Sequence, residues 1–142
     1  QTNTDNFKQL KDYYSSNTIE SEIFDFNANI SDIMNKSNIC ITRAGASTLA
    51  ELIFMNIPHL AIPLPSSKDN HQFENANFYE QNGCNWIMNQ NEINETNLTS
   101  KLIHIIQDKK EYLNKKNNMK NLNFQNTWNN VNQRIIDTIN EN

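Results

Sequence analysis

The residues best suited to chemistry are Arg43-Ala44-Gly45-Ala46-Ser47-Thr48-Leu49-Ala50-Glu51, directly after the apolar run Ile39-Cys40-Ile41. The chain has two glycines, and one of them stands here, between an expected strand and an expected helix. Such a turn presents backbone N–H groups at a helix N-terminus, which suits a phosphate. Glu51 follows within two turns, so one short segment could hold a phosphate and a sugar hydroxyl together. The alternative is an ordinary βα turn capped by Ser47 or Thr48, with Glu51 a solvated helix residue. Leu49, Ala50, Leu52 and Ile53 suggest instead that the helix is largely buried, and a buried carboxylate needs a partner.

A second polar run, Lys68-Asp69-Asn70-His71-Gln72-Phe73-Glu74-Asn75-Ala76, opens another helix. Asp69 or Asn70 could cap it. Gln72 and Asn75, three apart, share a face. Neutral amides offer donors and acceptors to sugar hydroxyls; equally, the run could be a solvated helix start. His71 could act as a base, but no nucleophile accompanies it. His59 and His104 fall in apolar segments and read as structural.

The elements that must position these residues follow from spacing. Phe7, Leu10 and Tyr14 predict a first helix capped by Thr4 or Asp5. Ile19 to Phe26 alternates, as a strand does. Ile30, Ile33 and Met34 give a short helix, and Asn38 to Thr42 a strand. A helix over 46–55 stops at Asn56, and His59 to Pro63 is a buried strand. A loop through Ser67 leads to a helix over 70–81 closed by Gly83. Trp86 to Met88 is a strand. Helices follow at about 95–107, 109–123 and 127–140, with Trp86 and Trp128 packed beneath them and the Lys109–Lys120 run solvated. Alternating strands and helices imply an α/β fold with a parallel sheet. Ligands then belong beyond the carboxyl ends of strands, where Phe26-Asn27, Arg43 to Thr48 and Leu64 to Asn75 converge.

Composition narrows the classes. At 142 residues the chain is expected to be one domain. Asn makes up about a fifth of it, as AT-rich codon usage would produce, so sequons such as Asn29-Ile30-Ser31 are expected by chance. The net charge is −4, and the mild basic bias of the last forty-two residues has no interleaved aromatics, which argues against nucleic acid. No apolar run is long enough to span a bilayer. Cys40 and Cys84 lack metal-ligand spacing, and Cys40 reads as a small buried hydrophobe, which fits a reducing cytoplasm. The chain does not begin with Met and is expected to be a piece of a larger protein.

With these residues in place, the chain resembles the C-terminal half of the MurG family. The resemblance rests on Gln1-Thr2, Phe26-Asn27, Arg43-Ala44-Gly45-Ala46 through Glu51, Ile57-Pro58 with Ile62-Pro63, Asp69-Asn70-His71-Gln72 with Asn75-Ala76, and Gly83, in order and nearly end to end. It implies a Rossmann-like parallel sheet with flanking helices, the partial C-terminal donor-binding domain of a GT-B glycosyltransferase. Residues 1–142 would form that UDP-GlcNAc-binding domain, incomplete at its N-terminus. By similarity, the backbone at Asn27 would read the uracil and Ile30 would cap the nucleoside. Gly45, Ala46, Ser47 and Thr48 would hold the diphosphate, and Glu51 the ribose. His71, Gln72 and Asn75 would contact the GlcNAc. Asn3 replaces a glycine common in the family, and His71 stands where some members have Gln.

The activity so implied is inverting transfer of GlcNAc from UDP-GlcNAc to lipid I, giving lipid II at the cytoplasmic face of the inner membrane. The acceptor would be bound through an N-terminal domain outside this sequence, which would also supply the base. The chain alone is therefore expected not to transfer, and no catalytic residue is assigned to it. No cofactor or metal is expected, since the helix N-terminus would neutralise the leaving UDP. A donor-binding subunit of a dolichol-linked GlcNAc transferase and a non-catalytic nucleotide-sugar-binding module are the alternatives.

Overall fold

The first helix, α1 (Thr4–Ser16), is capped by Asn3, whose Oδ1 accepts from the Asn6 N–H at 3.3 Å. The cap is therefore one residue earlier than the expected Thr4 or Asp5. Thr18 takes a left-handed φ of 56°, and the Ile19 N–H reaches back to the Tyr14 carbonyl at 2.9 Å, closing the helix. This is a computed structural model, and it describes residues 1–125 and 128–140. The Trp128 side chain lies outside the described set.

Two units divide the chain, Gln1–Ile33 and Met34–Asn142. In the first, Ile19 to Phe26 is not a strand: it has no regular structure and bends at Asp25. Alternation supplies a face but not a ladder, and no described strand pairs with this stretch. It is tied to the N-terminus by bonds from the Thr2 N–H to the Phe24 carbonyl at 2.8 Å and from Gln1 Nε2 to the Asp25 carbonyl at 2.6 Å, and Ile23 and Phe24 are half-buried. The short helix α2 (Ile30–Asn35) follows as its spacing predicts.

The second unit is a β-α-β-α-β array. Strands β1 (Cys40–Thr42), β2 (His59–Ala61) and β3 (Trp86–Ile87) pair in parallel in that order, with Ile41 opposite Leu60 and Leu60 opposite Trp86. Helices α3 (Ala46–Phe54) and α4 (His71–Gln81) make the crossovers. Consecutive strand residues point to opposite faces. Ala61 joins Ala44, Leu49 and Ala76 on one side. Leu60 joins Trp86, Met88 and Ile105 on the other, under α5 (Glu95–Gln107) and α6 (Lys109–Gln125). Helices on both faces make this sheet doubly wound, as expected. A last helix, α7 (Trp128–Asn140), follows α6, and short 3-10 turns lie at Lys68–Asn70 and Gln90–Glu92.

Both crossover helices stop where the sequence signals. Asn56 is left-handed at φ 58°, and the Ile57 N–H bonds to the Leu52 carbonyl at 2.9 Å. Gly83 does the same after α4 at φ 68°, with the Cys84 N–H on the Tyr79 carbonyl at 2.8 Å. The two stops return the chain sharply into β2 and β3.

The Lys109–Lys120 run is not uniformly solvated. Lys115 is buried: its Nζ donates to the Asn85 carbonyl at 2.7 Å, lies 4.7 Å from the Trp86 ring centre and pairs with Glu111 at 3.6 Å. Burial lowers its pKa, against the opposing pull of Glu111. Glu111 also accepts the Trp86 indole N–H at 2.7 Å, so a polar seam locks α6 against β3.

Candidate polar cleft at the carboxyl ends of the strands

Leaving β1, the chain runs through Arg43 and the fully buried Ala44 to Gly45, the N-cap of α3. Gly45 carries φ −66° and ψ 135°, and an added Cβ would meet nothing closer than Thr48 Oγ1 at 3.8 Å. The glycine is thus not needed for an unusual conformation; it leaves the helix mouth open. Among the described residues no side chain caps α3, so neither Ser47 nor Thr48 takes the capping role that an ordinary turn would give it. The first intrahelical bond runs from the Leu49 N–H to the Gly45 carbonyl at 3.0 Å. The N–H groups of Ala46, Ser47 and Thr48 therefore have no intrahelical acceptor. They open at the carboxyl edge of β1, with the Thr48 hydroxyl half-buried beside them.

Glu51 is exposed, on the same side of α3 as Ser47, while Leu49, Leu52 and Ile53 face the core. The expectation that this carboxylate sits in a buried setting is thereby corrected. The helix is buried along one stripe only, and Glu51 lies off it. Its carboxylate is open one turn beyond the free amides, the placement a bound sugar hydroxyl next to a phosphate would need.

Gln72 and Asn75 do share a face, and the face meets the backbone of the turn. Gln72 Oε1 accepts from the Ala44 N–H at 3.2 Å and from the Leu64 N–H at 3.0 Å. Asn75 Nδ2 donates to the Ala44 carbonyl at 3.1 Å. The two amides grip both peptide groups of Ala44 and tie the loop after β1 to the loop after β2. Each keeps further donor or acceptor capacity for a ligand, but the Gln72 oxygen is fully committed. Spacing could show that these residues share a face; it could not show what the face meets.

His71 is exposed and lies at the start of α4, with Nδ1 2.6 Å from the Lys68 carbonyl. Asp69 and Asn70 precede it with left-handed φ values of 51° and 56°. Asn70 stands at the N-cap of α4, as expected, but makes no side-chain capping bond there. Asn and Asp tolerate this conformation, and the double kink delivers the chain from the Pro63–Ser67 loop into α4. Asn27 and Ile30 belong to the first unit. There Asn27 Oδ1 accepts from the Asn29 N–H at 2.8 Å, and Ile30 opens α2 half-buried.

Other reactive groups read as structural. Burial raises the thiol pKa of Cys40 and of Cys84, which disfavours thiolate chemistry. His59 is fully buried with Nδ1 on the Ile57 carbonyl at 3.1 Å, and burial lowers its pKa to about 4. His104, Asp108 and Glu111 place ligand-type atoms within 4.8 Å of one another. They are already used: His104 pairs with Glu111 at 3.1 Å, and Asp108 Oδ1 accepts from the Glu111 N–H at 2.8 Å. His104 is exposed rather than buried in its helix. Among the described residues, no helix is long and apolar enough to cross a membrane.

The family model described as glycosyltransferase family 28 C-terminal domain matches residues 1–133. A Pelagibacter ubique protein named UDP-N-acetylglucosamine–N-acetylmuramyl-(pentapeptide) pyrophosphoryl-undecaprenol N-acetylglucosamine transferase is 58% identical over the whole chain, which spans 40% of that relative. A Rickettsia prowazekii protein of the same name is 40% identical over 71% of the chain and 26% of its own length. A crystal structure of Acinetobacter baumannii MurG superposes with a TM-score of 0.74 at 19% identity, over the full chain and 42% of that protein. The chain thus spans less than half the length of each of these three. The match over residues 1–133 decides the matter: the chain belongs to the glycosyltransferase family 28 C-terminal domain family.

Proposed function

We propose that this chain is the donor-binding part of an inverting glycosyltransferase that moves GlcNAc from UDP-GlcNAc to the undecaprenyl-linked muramyl acceptor of peptidoglycan synthesis. The observation that carries the reading is the open mouth of α3. Among the described residues, three backbone N–H groups at Ala46, Ser47 and Thr48 without an intrahelical acceptor stand one turn before Glu51, whose carboxylate is exposed and has no described partner. The names of the relatives favour the undecaprenyl acceptor over a dolichol-linked one.

In this reading the α3 N–H groups and the Thr48 hydroxyl bind the diphosphate, and Glu51 accepts from the ribose hydroxyls. The Asn27 backbone and Ile30 receive the nucleoside. His71, Asn75 and the Gln72 Nε2 face the sugar. The reaction is a single displacement. An acceptor hydroxyl oxygen forms a bond to the anomeric carbon while the bond from that carbon to the diphosphate breaks. UDP leaves with the electron pair, and the hydroxyl proton passes to a base outside this chain. Negative charge grows on the diphosphate as the bond breaks. Preorganised N–H dipoles at a helix N-terminus are stronger partners for that charge than for the ground state. Residues 1–142 supply this donor half, and the acceptor, lipid I, binds through the remainder of the full-length protein at the cytoplasmic membrane face.

The test is transfer itself. The full-length protein incubated with UDP-GlcNAc and lipid I should release UDP and form lipid II. Donor binding without turnover, with acceptor present, would instead favour a non-catalytic nucleotide-sugar module.

A further inference from the structure

Beyond Thr42 and Ala61 the β1–β2 ladder splits open, and side chains take its next rung. Within the ladder the Cys40 N–H donates to the Pro58 carbonyl at 3.1 Å, and the Thr42 carbonyl accepts from the Ile62 N–H at 2.8 Å. Carried two residues further, a parallel register would join the Ala44 N–H to the Ile62 carbonyl and the Ala44 carbonyl to the Leu64 N–H. Instead Gln72 Oε1 takes both N–H groups, at 3.2 and 3.0 Å, and Asn75 Nδ2 donates to the Ala44 carbonyl at 3.1 Å. The group left over, the Ile62 carbonyl, accepts from Arg43 Nη1 at 3.3 Å. The Arg43 guanidinium therefore sits in the split between the strands, on the same rung as the two amides. Ala44, which those amides hold, leads directly into Gly45 and the α3 mouth.

This guanidinium is fixed and uncommitted. The Arg43 carbonyl accepts from the Thr42 hydroxyl at 3.0 Å, which holds the backbone beneath it. Its side chain is exposed, and among the described residues it makes no ion pair. Only one of its five N–H donors has a described partner. It is also the only basic residue between Ile39 and Phe54. A helix N-terminus offers about half an elementary charge, which leaves a departing diphosphate short of counter-charge. A guanidinium fork matches phosphate oxygens, and one tethered in advance loses less freedom on binding them.

We infer that Arg43 is a catalytic residue of the donor half, whose guanidinium binds the phosphate next to the transferred sugar and stabilises it as it leaves. The inference rests on the proposed transferase reading. There the α3 amides hold the diphosphate, and Asn75 and the Gln72 Nε2 face the sugar. The split at Ala44 lies between the two, where phosphate joins sugar. When the bond from the anomeric carbon breaks, its electron pair stays on the phosphate oxygen. Arg43 meets that charge and keeps its own protons throughout.

The full-length enzyme tests this with UDP-GlcNAc and a soluble lipid I analogue. Arg43→Gln removes the charge, and Arg43→Ala removes the whole fork. Each should lower kcat about a hundredfold, as loss of one preorganised partner of the developing charge does, and raise the UDP-GlcNAc dissociation constant about tenfold. UDP should weaken alike, whereas UMP and uridine, which lack the second phosphate, should bind within about twofold of wild type. The urea unfolding midpoint should hold, because Arg43 is exposed. Unchanged kcat and UDP affinity in both variants overturn the assignment. Uridine, UMP and UDP weakening together, with a lowered unfolding midpoint, also overturn it, because Arg43 would then only strap β1 to β2. A loss for UMP as large as that for UDP overturns its place beside the sugar. Wild-type enzyme that binds donor but never transfers refutes the transferase reading instead, and the contrast between UDP and UMP still decides the Arg43 contact.

Discussion

Gln72→Ala distinguishes a positioning amide from a sugar-reading one. The substitution deletes the Oε1 that accepts from the Ala44 and Leu64 N–H groups at 3.2 and 3.0 Å. Both donors are partly buried, and a donor left without a partner costs about 1–3 kcal/mol. Some water will reach a half-buried site, so about 2 kcal/mol of stability is the expected loss for the pair. The turn from Ala44 to Gly45 then loses one of its two anchors and keeps the bond from Asn75. Because that turn launches α3, the Ala46–Thr48 amides lose their alignment. UDP should therefore weaken by about 1–2 kcal/mol or roughly five- to thirtyfold, and UDP-GlcNAc by at least as much, because its sugar also loses the Gln72 Nε2 contact. Gln72→Glu is the control, since a carboxylate still accepts both N–H groups. It should restore the stability while its charge still opposes the diphosphate. Calorimetric titration with each ligand, beside urea unfolding, reads all of these. Unchanged stability and UDP affinity, with only the preference for GlcNAc over its C4 epimer lost, would refute the reasoning.

Three further outcomes follow from single residues. Glu51→Ala in the full-length enzyme should leave the fold intact, because Glu51 is exposed, and weaken donor binding ten- to hundredfold, about 1.5–3 kcal/mol for a charge-assisted bond; an unchanged dissociation constant would make it merely structural. Gly83→Ala should destabilise by about 1–2 kcal/mol in urea unfolding, since φ is 68° and the new Cβ would fall 2.5 Å from Asn118 Nδ2. His59 carries a folded pKa of about 4 against 6.5. The unfolded chain thus binds the proton first, and stability falls as pH drops from about 6.5 towards 4, by about 3 kcal/mol over the whole window. His59→Leu should flatten that slope in denaturation measured from pH 7 to pH 4.5; an unaltered slope would assign it to other groups.

Much of this architecture is legible in the sequence. Short apolar runs bounded by turn residues give β1, β2 and β3, and Asn56 and Gly83 mark the helix stops because left-handed closure favours those residues. Ile19–Phe26 misleads for a physical reason: a strand is a pairing, and alternation says nothing about whether an edge is available. The exposure of Glu51 is legible too, despite the apolar residues beside it in sequence. Leu49, Leu52 and Ile53 define one buried stripe, and position 51 lies off it. The Gln72 clamp was not legible, because it depends on where two loops distant in sequence bring their N–H groups. Lys115 eluded a charge-run reading because Trp86 and Asn85 sit over one turn of α6 alone.

The central claim is that the α3 mouth holds the donor diphosphate. The most direct measurement is amide NMR of the isotopically labelled full-length protein during titration with UDP-GlcNAc. The Ala46, Ser47 and Thr48 amide protons should shift downfield and saturate together, as new hydrogen bonds to phosphate oxygens form, with inorganic phosphate giving a weaker response at the same residues. Saturable binding that leaves these three amides unmoved would contradict the claim.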